Sequence, residues 1–167
     1  MIKIGLLSDT HSYLNPKILT YFKEVDQIWH AGDIGSLEVI EELEKIAPVR
    51  AVFGNIDNAQ IRRIYKETEE FMVENVSILM THIGGYPGNY APPIKQRIYE
   101  KQPKLFISGH SHILKIMNDK TLNMLHMNPG AAGKSGFHNI ATVLRFCIDV
   151  EQISDLEVIE FNKRPVE

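Results

Sequence analysis

Ile2-Lys3-Ile4-Gly5-Leu6-Leu7-Ser8-Asp9-Thr10-His11 is the stretch on which the reading of this chain turns. An apolar run of strand length ends abruptly at a carboxylate and an imidazole two residues apart. A buried strand that feeds into Asp9 and His11 places two side chains of metal-ligand type at its carboxyl end. The rest of the chain is then tested by whether other strands end in the same way.

Working outward, Asn15-Pro16 starts a helix that runs to about Lys23, with Ile18, Leu19 and Phe22 at helical spacing. Gln27 to Ala31 reads as the next strand and leads into Gly32-Asp33. Ser36 is positioned as an N-cap for a helix whose Leu37, Ile40, Leu43 and Ile46 share one face, with Pro48 closing it. Val49 to Phe53 is a third strand, ending at Gly54-Asn55-Ile56-Asp57. This alternation predicts parallel neighbours joined by right-handed crossovers. The pattern then changes. Glu69–Val73 and Val76–Met80 read as a hairpin turning near Asn75, and its second strand runs into Thr81-His82. A breaker-rich loop over 84–93, a helix from about Ile94 to Glu100 and a strand over 104–108 follow, the last ending at Gly109-His110-Ser111-His112. Strands over 113–118, 121–127, 140–148 and 155–161 complete the chain, with turns at Lys120 and at Asn128-Pro129-Gly130 and a frayed tail over the last five residues. The order is α/β, then mixed, then β, which predicts one domain over 1–167 with two sheets packed between helices.

Composition sets the outer limits. The 167 residues are 44% hydrophobic and 23% charged, enough for a core, and the net charge of −3 gives no polyanion-binding surface and no specific nucleic-acid face. Cys147 is the single cysteine, so no intrachain disulfide forms. The first apolar run is broken at Ser8-Asp9, too early for a signal sequence, and no run approaches the ~18 residues of a membrane span. These features predict a reduced, cytoplasmic protein.

Asp9, His11, Asp33, Asn55, His82, His110 and His112 each follow directly after a predicted strand. In an α/β sheet, ligands gather outside the carboxyl ends of the parallel strands. Two carboxylates, one amide and four imidazoles exceed the roughly four ligands of one zinc-like ion and suit two divalent ions ~3.5–4 Å apart. Mixed imidazole and carboxylate ligation suits manganese, here the first choice, and also iron, nickel or zinc. Two such ions leave net positive charge after both aspartates and a bridging hydroxide are counted, which suits a phosphate ester. Gly32, Gly54 and Gly109 allow close backbone approach beside the ligand positions.

These motifs, in this order, resemble the calcineurin-like metallophosphoesterases. The short length and Asn128-Pro129-Gly130 resemble the family's small bacterial and archaeal phosphodiesterase branch. The resemblance spans residues 2 to about 148. It implies a four-layer sandwich of two mixed β-sheets flanked by helices. It also implies one ion held by Asp9, His11, Asp33 and His112, a second held by Asp33, Asn55, His82 and His110, and Asp33 as the bridge. The implied chemistry is hydrolysis of a small-molecule phosphate ester, a diester before a monoester, by a metal-bridging hydroxide. Asp33 and Asn55 would act in it, and Asn55 would also reach the phosphate.

Three positions depart from the pattern. Larger relatives carry a histidine where Ile56 stands, which leaves the general acid to Asp57 or to a water. His82-Ile83-Gly84 replaces His-Gly-His, and Ala131 replaces a serine. Asp57 reads either as that acid or as a turn or capping residue. His30 and His126 read as buried structural histidines, His138 and Lys134 as solvated. Tyr86 and Tyr90 sit on a loop that is either a lid over substrate or a rigid connection. Glu67, Glu69 and Glu70 read as an exposed strand edge. Two rival functions remain. One is a non-catalytic scaffold of the same fold, like the retromer subunit. The other is a dinuclear zinc hydrolase of metallo-β-lactamase type, whose His-x-His-x-Asp-His cluster is missing.

Overall fold

Two five-stranded mixed sheets pack face to face in the computed structural model, which describes residues 1–164. The elements in chain order are β1 (Ile2–Leu7), α1 (Pro16–Tyr21), β2 (Gln27–His30), α2 (Leu37–Glu44), β3 (Val49–Ala51), α3 (Ala59–Ile64), β4 (Thr68–Val73), β5 (Val76–Thr81), β6 (Gly85–Tyr86), β7 (Asn89–Tyr90), α4 (Pro92–Lys101), β8 (Leu105–Ile107), β9 (Leu114–Asp119), β10 (Met124–Pro129), β11 (Ile140–Asp149) and β12 (Gln152–Asn162). The first sheet has the order β12-β11-β1-β2-β3, with β1, β2 and β3 parallel and β11 antiparallel to β1. The second has the order β4-β5-β8-β10-β9, with β5, β8 and β10 parallel and antiparallel strands at both edges.

Side-chain alternation sets the layers. In β1, Ile4 and Leu6 face the second sheet, where they pack with Trp29, Phe146, Ile78, Leu105 and Met127. Leu7 faces the other way, into a layer made by Ile18 and Phe22 of α1, Val39, Ile40 and Leu43 of α2 and Ile61 of α3. Gly5 shares that outer face, and a Cβ there would meet the Phe22 ring at 3.0 Å. On the far side, Ile94 and Ile98 of α4 cover Leu79, Phe106 and Met124 of the second sheet. The result is helix, sheet, sheet, helix. Each fully buried aliphatic chain contributes about 1.5–3 kcal/mol, and the inter-sheet layer is keyed by Trp29, edge-on to Phe71 at 5.0 Å and to Phe146 at 5.7 Å.

Five local expectations change. Helix α3 was not expected; it is six residues long with only Ile61 buried, so it carries little periodic signal, and its start is marked by Asn58, whose side chain accepts from Ile61 N at 3.0 Å. The 84–93 loop contains the two-stranded ribbon β6–β7. Ser36 stands at the N-cap of α2, but its hydroxyl makes no capping bond. Asn128 and Pro129 belong to β10 rather than to a turn. In the expected tail, Lys163 is anchored: its backbone N–H reaches Asn139 O at 2.9 Å and its Nζ reaches Ser135 O at 2.7 Å. Residues 165–167 of that tail lie outside the described residues. Glu67, Glu69 and Glu70 do flank or lie on an edge strand, where Glu69 pairs with Arg50 and Glu70 with Arg97 and Lys101.

Candidate metal centre

The carboxyl ends of β1, β2, β3, β5 and β8 meet at one edge of the sandwich, and backbone hydrogen bonds knit the loops there. Asp9 N donates to Gly32 O at 2.9 Å and His11 N to Asp33 O at 3.0 Å, which prolongs the β1–β2 pairing past the strands. Gly109 N donates to His82 O at 2.9 Å, which does the same for β8 and β5. Asp9, His11, Asp33, His110 and His112 all take left-handed backbone, with φ between 46° and 71°. Such a conformation costs a non-glycine residue about 1 kcal/mol or more, so its recurrence at five ligand candidates marks a site held in place by the surrounding fold.

The structure brings the sequence-derived candidates into two adjoining groups. Asp9, His11 and His112 offer ligand atoms within 4.8 Å of one another, and so do Asp33, His82 and His110. Asp33 faces both groups: Oδ2 lies 3.3 Å from His11 Nε2 and Oδ1 lies 3.2 Å from His82 Nε2. His112 Nε2 lies 3.2 Å from Asp9 Oδ1. Asn55 joins the second group through its Oδ1, 3.0 Å from His110 Nδ1.

Surrounding residues aim these atoms. Ser8 Oγ at 2.6 Å and His110 N at 3.1 Å both donate to Asp9 Oδ2, leaving Oδ1 turned inward. His82 Nδ1 donates to Ala31 O at 2.8 Å, so its Nε2 carries the lone pair. Asp9 Oδ1, His11 Nε2 and His82 Nε2 are buried and have no hydrogen-bond partner. Buried polar atoms are rarely left so. Three of them facing one another among carboxylates and imidazoles fit a divalent cation.

The electrostatics agree. Burial alone would raise the Asp9 carboxyl, but the imidazoles of His11, His112 and His82 around it and the Ser8 hydroxyl hold it well below the usual carboxylate range. Burial is likewise overcome at Asp33, by His11, His82 and the Ile56 backbone N–H. The adjacent carboxylates of Asp33 and then Asp9 push the His11 imidazole up to about 9. At His82 burial opposes the shift, but Asp33 and Asp9 raise the imidazole above its ordinary value. Both carboxylates stay charged and call for positive partners.

Close packing at the glycines leaves no spare room. A Cβ on Gly54 would stand 2.0 Å from Asp33 Oδ1, and one on Gly109 would stand 2.2 Å from Ser8 Oγ. Gly32 has φ +99°, and a Cβ there would strike the His82 ring at 2.7 Å.

Asp57 is placed as a clamp. It is 4% exposed, and its two oxygens accept backbone N–H groups from Ile34 at 3.1 Å, Gly35 at 2.8 Å and Gly54 at 2.8 Å. It ties the Asp33 loop to the Asn55 loop, a role the sequence left balanced against proton donation. Asp57→Asn places an NH₂ among three N–H donors, and we expect a loss of about 1.5–3 kcal/mol in denaturant unfolding together with weaker metal binding. A proton donor would show the reverse: unchanged stability, with slowed turnover confined to esters of poor leaving groups.

His30 is fully buried behind the site. Gly32 N donates to its Nδ1 at 3.1 Å, and its Nε2 meets Thr10 Oγ1 at 2.9 Å. Burial lowers its imidazole to about 4, so the ring is neutral and Nε2 carries the proton. Thr10 passes the chain of bonds on to Ile34 O at 2.9 Å. Three supporting residues escaped the sequence reading. They are Ser8, Thr10 and Asn128, whose Nδ2 holds Gly109 O at 3.0 Å and Ser111 Oγ at 3.1 Å and so fixes the loop bearing His110 and His112. Ser8 and Thr10 were marked only by adjacency to a ligand motif, and Asn128 only by its place in Asn128-Pro129-Gly130. His138 is exposed, and Lys134 sits over the Tyr13 ring at 4.0 Å. Tyr90 is rooted by a bond from its hydroxyl to Asp119 at 2.6 Å, whereas Tyr86 is 45% exposed.

Comparison with known proteins gives this fold a family. The calcineurin-like phosphoesterase superfamily domain matches residues 2–151. The chain belongs to that superfamily. It is 32% identical over 138 residues to a protein of Methanothermobacter thermautotrophicus named "Probable metallophosphoesterase", covering 77% of this chain and 76% of the relative. A Methanocaldococcus jannaschii protein named as a phosphodiesterase is 29% identical over 145 residues, 77% of this chain and 83% of its own. Among solved structures, wild-type Vps29 from Entamoeba histolytica, complexed with zinc, superposes with a TM-score of 0.75 at 17% identity, covering 98% of this chain and 100% of that one. That last likeness is one of fold.

Proposed function

We propose that this protein is a dinuclear metal-dependent phosphodiesterase built as one domain over residues 1–167. The observation that carries the reading is the set of three buried, partnerless atoms, Asp9 Oδ1, His11 Nε2 and His82 Nε2, gathered about Asp33. Asp9, His11, His112 and Asp33 would hold one ion; Asp33, Asn55, His82 and His110 would hold the other. Two bound divalent ions would supply an activated water near neutral pH and compensate phosphate charge. Manganese is the first candidate, ahead of iron, nickel and zinc.

The protein's own contribution is placement. Asp33 sets the distance between the two ligand groups. Asn55, half in the second group and close to solvent, is positioned to orient a phosphoryl oxygen. His82 is held in one orientation by its bond to Ala31 O, so little reorganisation of that ring accompanies reaction. The position of the larger relatives' acid is occupied by Ile56, 45% exposed and without a proton to give. Esters with good leaving groups should therefore be favoured. The named archaeal phosphodiesterase relative supports a diester over a monoester. Among the described residues no helix is long and apolar enough to cross a membrane, and a cytoplasmic enzyme with a small-molecule ester is the reading that goes with it.

The likeness to Vps29 supports a second reading, a scaffold on the same fold. Hydrolysis of bis-p-nitrophenyl phosphate with added manganese, against a chelated control, separates the two. Metal-dependent turnover is expected. Tight binding of manganese, iron, nickel and zinc with no turnover by any of them would instead establish the scaffold.

A further inference from the structure

A cavity of about 550 Å³ opens directly beside His110. Its walls come from Ile83, Tyr86 and the β6–β7 ribbon on one side and from Ile113 and Lys115 on the other, with His126 at its base. Gly84 brings the ribbon close to the sheet, since a Cβ there would strike Phe106 at 2.5 Å. The Lys115 ammonium rests over the Tyr86 ring at 4.3 Å, so the exposed rim is cationic and the interior largely apolar.

The base of this cavity holds an unused acceptor. His126 is fully buried and stacked on Phe106 with ring centroids 5.3 Å apart. Its Nδ1 lies 3.2 Å from Phe106 O. A carbonyl only accepts, so Nδ1 carries the proton. Burial lowers the imidazole to about 4, which leaves the ring neutral and its Nε2 a bare lone pair. Nε2, on the other side of the ring, has no hydrogen-bond partner. The centre's other orphaned atoms are explained by metal ligation; His126 belongs to neither ligand group.

We propose that this cavity is the subsite for the organic group of the ester, and that His126 Nε2 selects a flat heteroaromatic ring bearing an N–H donor, the chemistry of an amino-substituted nucleobase. The assignment of the cavity to an ester substituent rests on the phosphodiesterase reading. A flat ring covers the Ile83, Ile113 and Tyr86 surfaces and carries its N–H in plane to the base, where a buried acceptor left unpaired disfavours rings without a donor. Lys115 at the rim would face the negative charge of the phosphate side.

The test uses the full-length protein in EDTA, so that it does not depend on the metal centre. The probes are 9-methyladenine and 9-methylpurine, which differ only by the amino group. The wild type should bind 9-methyladenine about tenfold more tightly, and the unprotonated ¹⁵N resonance of His126 Nε2 should shift on its addition. His126→Phe should abolish the preference, and His126→Gln, whose amide oxygen accepts, should restore part of it. Equal affinity for the two probes, no binding of 9-methyladenine, or an unmoved Nε2 resonance in the wild type would overturn the proposal, and the last readout needs no variant. Failure of the bis-p-nitrophenyl phosphate assay with pocket binding retained would remove the esterase reading alone.

Discussion

Asp33→Asn should reduce turnover of bis-p-nitrophenyl phosphate by at least ~10³-fold, the scale on which preorganised charge contributes to a transition state. Asp33 is 2% exposed, with one oxygen turned to His11 and the other to His82. An asparagine can present an acceptor to only one of the two groups, and it removes the charge that both share. Metal content should fall from two ions per chain towards one. The fold should survive, because asparagine tolerates the left-handed backbone that this position adopts (φ 56°). Circular dichroism and thermal melting serve as the control for that. Near-normal metal content and rate in this variant would remove the bridging role and the dinuclear reading with it.

Gly54→Ala should be nearly as damaging through a different route. The added methyl group would lie 2.0 Å from Asp33 Oδ1 and 2.4 Å from Asp33 N, and the second of these is backbone that cannot rotate away. Either β3's loop or the Asp33 loop must move, and Asp57 ties both together. Overpacking of this kind costs about 1–3 kcal/mol. We expect that loss in urea unfolding of the EDTA-treated protein, and manganese affinity weakened at least tenfold in titration calorimetry. Gly88→Ala is the matched control. Its Cβ would meet nothing within 4 Å, so only the strain of φ +88° is added and manganese affinity should hold. Equal effects of the two substitutions on metal affinity would show that the Gly54 contact is not what shapes the site.

Much of this could be read from local pattern. An apolar run that stops at Asp9 or at His82 announces a strand end, because burial and polarity change within one residue of each other. The alternation of strand and helix to residue 53 predicted the parallel half of the first sheet, and β1, β2 and β3 are parallel. Helix α3 and the β6–β7 ribbon were not legible. One buries a single residue, and the other is two residues per strand, too short for either period to show.

Ligand types and their order along the chain are properties of residue chemistry and of spacing to the nearest strand, and these are written locally. Atom-level roles are different in kind. Asp57 is a clamp because backbone N–H groups from Ile34 and Gly35, more than twenty positions away, meet its carboxylate. His82 turns Nε2 inward because Ala31 O takes its other nitrogen, and His126 keeps a free Nε2 because Phe106 O does the same. A histidine's tautomer follows from the carbonyl packed against it, and that neighbour is assigned by sheet order, which no short stretch such as Ser8-Asp9-Thr10-His11 contains.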